Sequence, residues 1–217
     1  MVIGQMEVLE IKPIENKKIT VFMIEHFNPD CLNRVDKSLI RYLKEKDIDF
    51  ATIDVKEECL ATLHESILVE SFNHIKVPYH VVEIPEYAKA ALEEKITKKE
   101  EKIQALVDEY QILTDKESFK AQNLESWINV LKDEVKEDEE FLSLKLRPEW
   151  IVKRILGLIN SIKGKEIKFA HFAQPEVYNL MVDMFKELGM KVVLHELNLK
   201  IKSENLLKAE EIKQWKF

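Results

Sequence analysis

Apolar residues fall along this chain in two rhythms. Short apolar runs, Ile19-Thr20-Val21-Phe22-Met23-Ile24, Phe50-Ala51-Thr52-Ile53, Tyr79-His80-Val81-Val82, Ile167-Lys168-Phe169-Ala170 and Val192-Val193-Leu194, read as strands buried on both faces. Between most of them, apolar positions recur every three or four residues, the spacing of an amphipathic helix; Leu32, Val35, Leu39, Ile40 and Leu43 are one such set. The pattern predicts strands near 18–26, 50–55, 79–84, 166–172 and 191–197, with helices near 30–46, 57–73 and 175–188. A short strand over Glu7–Ile11 and a polar helix over 203–217 are expected at the two ends. Strand alternating with helix implies an α/β fold with a mainly parallel sheet.

The middle departs from this alternation. From Glu86 to Lys163 only helical periodicity is present, predicting helices near 86–113, 115–136 and 148–163. Their stripe of Leu92, Ile96, Ile103, Leu106, Trp127, Ile128, Trp150 and Ile155 should be buried within the segment or against a second copy, because left in water it would be a large exposed apolar patch. The expected organisation is a single α/β domain over 1–217, interrupted by a helical insertion at 86–163. That insertion is where a homo-oligomer contact or a protein partner is expected.

Four strands end on an ionisable residue: His26, Asp54, Glu83 and His171. In a parallel sheet these ends share one edge, where α/β proteins place their chemistry. Two imidazoles and two carboxylates converging there suit a divalent metal ion. Read more plainly, strand ends are simply where polar residues resume. His64, His74 and His80 read as ordinary surface or core histidines, and His195-Glu196 as a weaker pair.

Composition removes several alternatives. A net charge of −7 argues against a general nucleic-acid binder, whose footprint is a basic patch. The lysines interleave with glutamates, as in Lys98-Lys99-Glu100-Glu101-Lys102, which is the look of a solvated helix face. None of the glycines, Gly4, Gly157, Gly164 and Gly189, lies in a GxGxxG or GxxxxGK turn, so no nucleotide cofactor is expected. Gly164 and Gly189 instead stand where helix C-caps should be. Cys31 and Cys59 form no CxxC pair and read as small buried hydrophobes. No run approaches the roughly 18 apolar residues of a membrane span, and the first residues lack the features of a signal peptide; a cytoplasmic protein is expected.

The order of these strand-end residues resembles the TraB family, within the wider superfamily of Tiki proteases, erythromycin-esterase-like and ChaN-like proteins. Met23-Ile24-Glu25-His26 lies over the family's GTxH motif, and Ile53-Asp54-Val55-Lys56-Glu57-Glu58-Cys59 over its V-E-L-D-x-x-R-like motif. Glu83, with Pro85 after it, matches an acid that closes a strand. Arg147-Pro148-Glu149-Trp150-Ile151-Val152-Lys153-Arg154 leading to Lys168-Phe169-Ala170-His171 matches an arginine-containing helix before a strand closed by GxGH. The resemblance implies a metal-assisted hydrolase or peptidase-like site, with His26 and His171 binding a divalent ion and Asp54 or Glu83 as ligand or general base. Glu25 is a runner-up for the base. The chain departs from the motifs at both glycines, at Lys56 and at Cys59. Those departures favour a second reading, a non-catalytic regulatory or partner-binding protein on the same scaffold.

Overall fold

The computed structural model describes residues 17–25, 37–55 and 59–195. His26, Cys31, the expected strand at Glu7–Ile11, the first part of the helix at 30–46 and the expected helix at 203–217 lie outside the described residues.

Among the described residues, five strands form one sheet: β1 (Lys18–Glu25), β2 (Phe50–Ile53), β3 (Tyr79–Val81), β4 (Glu166–Ala173) and β5 (Lys191–His195). All neighbours pair in parallel, in the order β3-β2-β4-β1-β5. β4, the strand that follows the helical insertion, takes the centre. It pairs with β1 from Lys18↔Glu166 to Glu25↔Ala173 and with β2 on its other side. The sheet is thus closed by residues from both sides of the insertion, so the chain cannot be cut there into two independent sheets.

Side-chain alternation sorts the strands onto two faces. Ile19, Val21, Met23, Phe50, Ile167 and Phe169 point to one side, where they meet Ile151, Val152 and Ile155 of α6 (Arg147–Ser161) and Val177, Met181 and Phe185 of α7 (Pro175–Glu187). Phe22, Ile24, Ala51, Ile53, Ala170 and Phe172 point to the other. There they meet Leu43 of α1 (Lys37–Glu45), Leu63 of α2 (Leu60–His64) and Leu68, Val69 and Phe72 of α3 (Ile67–Ile75). Helix, sheet, helix is the layering that a sheet apolar on both faces requires.

Local chemistry explains where the helices differ from the sequence expectation. The single helix predicted at 57–73 is two, because Ser66 breaks it and its hydroxyl accepts from the Val69 amide at 3.3 Å, starting α3 afresh. Gly189, at φ 78°, closes α7 in the left-handed conformation expected of it. Gly164 does not; α6 ends on Ile162 in an extended conformation.

The insertion begins with a helical hairpin. α4 (Glu86–Gln111) and α5 (Phe119–Phe141) run antiparallel and pack on each other, with hardly any packing of α4 on the sheet. Ala121, Leu124, Ile128, Leu131 and Val135 are the buried residues of α5, and Ile96 that of α4. α5 does not stop near 136. It passes through a π-helical turn, Leu142–Leu146, directly into α6, so the chain is helical from Phe119 to Ser161. Of the expected apolar stripe, Ile96, Ile128 and Ile155 are buried and Leu92, Ile103, Leu106 and Trp150 half-buried. Trp127 is the exception at 58% exposed. It sits off the inner face of α5, which neighbouring Ile128 occupies instead.

Candidate functional site

The connections from β1 and β2 run over one face of the sheet, and those from β3 and β4 over the other. β2 and β4 are neighbours whose chains therefore leave in opposite directions, and such a divergence opens a crevice at the carboxyl edge. Asp54 follows β2 and Gln174 follows β4. The Gln174 amide N–H, at the N-cap of α7 before Pro175, donates to Asp54 Oδ2 at 3.2 Å across that crevice.

Asp54 has no exposed surface. Its partner is Arg147, the first residue of α6, whose Nη2 donates to Asp54 Oδ1 at 2.8 Å. The same guanidinium forks onto Glu83, with Nε at 2.9 and 3.1 Å from its two carboxylate oxygens and Nη2 at 2.7 Å. Its remaining Nη1 lies 3.7 Å from Glu176, at the start of α7. Glu83 also accepts from the Ile84 amide at 2.8 Å. One arginine thus ties together the segments after β2 and β3 and the first turn of α7, using the planar fork that a lysine lacks.

Burial decides the ionisation of this group. Loss of hydration raises the Asp54 pKa from 3.8 to about 6; Arg147 opposes the rise, and Glu83 adds to it. Burial likewise works against the charge on Arg147, but the hydrogen bond to Glu83 and the attraction of Asp54 hold its pKa above the ordinary value. Arg147 therefore stays cationic and Asp54 exchanges its proton near neutrality.

The structure brings two of the four sequence candidates together, Asp54 and Glu83, through Arg147. β4 runs on to Ala173, so His171 lies two residues inside the strand rather than at its end. It is buried; its Nδ1 is 2.9 Å from Thr52 Oγ1, and its ring meets Phe185 edge-to-face at 5.9 Å. His26 lies outside the described residues. Among the described residues, no group of three or more His, Cys, Asp or Glu side chains is placed to hold a metal ion. As arranged, the donor set does not suit a divalent ion, because a guanidinium already lies where the two carboxylates point. His195 stacks on Tyr42 at 4.6 Å and belongs to the opposite face.

Comparisons with protein-family models, with curated proteins and with solved structures found no match for this chain. The geometry alone carries the reading.

The residue that sequence reasoning left out of the site is Arg147, which it took only as part of an arginine-containing helix. The one signal on offer, a cation at the start of the helix predicted at 148–163, does not hold in the structure, where that helix continues from α5 through the π-helical turn.

Proposed function

We propose that this chain is a binding protein rather than a catalyst, an α/β platform that presents the α4–α5 hairpin to a second copy of itself. The observation that carries this is a second apolar stripe on α5. At about 100° per residue, Leu124, Ile128, Leu131 and Val135 lie in an arc of roughly 60° facing α4, while Phe119, Trp127 and Val130 lie in another, turned away by roughly 110°. These three are 79%, 58% and 45% exposed, and Ile112 beside the hairpin tip is 80% exposed. A helix with one buried face has no need of a second apolar one; one that docks twice does. The second copy is favoured over a foreign partner by α4, where lysines interleave with glutamates and such a surface can be self-complementary about a two-fold axis; α5 is acidic on balance. Two hairpins so joined make a four-helix bundle. Sedimentation velocity over a concentration series tests it. Dimer is expected for the native chain and monomer for Phe119→Ser/Trp127→Ser; a native chain that stays monomeric at high concentration removes the proposal.

A second reading, the metal-assisted hydrolase, draws support from Asp54, a buried carboxyl titrating near neutrality in the β2–β4 crevice. It requires Arg147 to give up Asp54 and Glu83 to a metal ion. Metal analysis of the unsupplemented protein and of Arg147→Met tests it; stoichiometric metal in either supports this reading.

A further inference from the structure

Away from the Asp54 crevice, the outer edge of the sheet carries an open cleft of about 530 Å³, between β3 and α6. Among the described residues β3 is an edge strand with no further strand beside it, and Tyr79, His80 and Val82 line one wall. α6 lines the other with Arg154 and Leu158. His64, at the end of α2, closes one side, its Nδ1 3.3 Å from the Tyr79 hydroxyl.

Arg154 sets the chemistry. This chain has 40 acidic against 33 basic residues, and about two helical turns away Arg147 gathers three carboxylates. Yet among the described residues no carboxylate pairs with Arg154, whose Nη1 reaches only the Glu83 carbonyl at 3.4 Å. A guanidinium left with unused donors beside two imidazoles and a phenol is a receptor for an oxyanion. His80 does not add a second charge at neutral pH, because burial and the neighbouring Arg154 lower its pKa; its ring supplies a donor and an acceptor instead. Leu158, half-buried on α6, supplies apolar surface for the rest of a ligand.

Gly157 gives the cleft its depth. A Cβ at that position would meet nothing within 4 Å, so packing of α6 does not call for glycine. Glycine inside a helix is unfavourable relative to alanine. What its missing side chain leaves is open cleft. The volume falls in the range of small-molecule sites.

We propose that the β3–α6 cleft binds a small organic oxyanion, a carboxylate or phosphate ester with an apolar body, held at its head by Arg154 and the imidazole of His80. The site is separate from the hairpin, and either proposal stands if the other fails.

Phenyl phosphate, benzoate, inorganic phosphate and the neutral benzyl alcohol, each titrated into the full-length chain and followed by amide chemical shifts, test it. Saturable shifts confined to β3, the end of α2 and the second half of α6 are expected with phenyl phosphate or benzoate, and whichever binds more tightly names the head group. Benzyl alcohol should give none, and inorganic phosphate should bind more weakly than phenyl phosphate. Arg154→Gln should weaken the better probe by about tenfold or more, the scale of a lost charge-assisted hydrogen bond. Gly157→Leu, which puts four carbons into the cleft, should weaken binding, whereas Gly157→Ala should raise the melting temperature and leave binding in place. Absence of saturable shifts with both aromatic anions overturns the proposal, as does equal binding by benzyl alcohol. Unchanged affinity in a folded Arg154→Gln does the same. Should Arg154→Gln fail to fold, the native titration and Gly157→Leu still decide the matter.

Discussion

Phe169, in the central strand, has no exposed surface and stacks on Phe50 at 5.0 Å, whereas α4, the longest helix, buries only Ile96. The sheet is held by apolar area on both faces. The hairpin has one narrow stripe, and ion pairs between its helices supplement it: Lys99 to Glu134 and Asp138 at 2.9 and 2.7 Å, and Lys95 to Asp138 at 2.7 Å. The difference teaches that charge plays opposite parts in the two regions. Buried beneath the platform's edge, the Asp54 charge is opposed by lost hydration. On the hairpin, the Asp138 side chain keeps 15% exposure; burial alone would raise its pKa, but Lys95 and Lys99 bring it below the ordinary value.

The largest expected effect comes from removing the cation that serves the buried acid. Arg147→Met should destabilise the platform by about 3–5 kcal/mol in urea unfolding at pH 7.5, since it strands a buried carboxylate. A loss below about 1 kcal/mol would show that the cluster is not what ties the carboxyl edge together.

Next is the pH response of Asp54. Its folded pKa of about 6 lies above the unfolded 3.8, so the folded state binds the proton more readily and stability falls as pH rises from about 4 to 6. The stability of the native chain minus that of Asp54→Asn should fall across that window by an amount on the order of 3 kcal/mol. A difference that does not change with pH would place the titration elsewhere.

Ile128→Ala should cost about 2 kcal/mol, the low end for such a truncation, and the loss should fall on the hairpin. Hydrogen exchange is expected to speed up along α4 and α5 while β1 and β4 keep their protection. Uniform loss across both regions would mean that the two unfold as one.

The smallest effect is expected at Asp138. Asp138→Asn should cost no more than about 1 kcal/mol, and the cost should shrink in high salt. Because its folded pKa is depressed, the stability it contributes is present above about pH 4 and lost as pH falls further, the reverse of Asp54. Parallel responses of the two regions to acid would undo the contrast.

These contrasts also mark what the sequence could say. The five strands were legible because each is a short apolar run, and a sheet covered on both faces leaves no ambiguity of alternation. Their order was not, since nothing in Ile167-Lys168-Phe169 announces that the strand slots between β1 and β2. Asp54 and Glu83 were legible as strand-end acids. Arg147 was not: its partners lie 93 and 64 residues away, and only folding reveals that they share it. His171 looked terminal because Phe172 and Ala173 do not stand out from a loop, yet pairing with β1 carries β4 through them. Trp127 belongs to the apolar stripe whose helical spacing predicts burial, yet the inner face of α5 is filled by Ile128 and Leu131.

The π-helical turn at Leu142–Leu146 has a mechanical consequence. It splices α5 to α6 without a hinge loop, so the hairpin and the helix that begins at Arg147 form a single lever pivoting on the carboxyl edge of the sheet. A π turn holds one residue more than an α-helix accommodates over the same rise, and it acts as a fixed rotation between the two arms. Deleting one residue there would turn the hairpin by about 100° about its own axis and swing Trp127 from one flank to another, while leaving both helices intact. Torque applied to the far end of the hairpin would be carried along this continuous helical path to Arg147, whose guanidinium clasps Asp54 and Glu83.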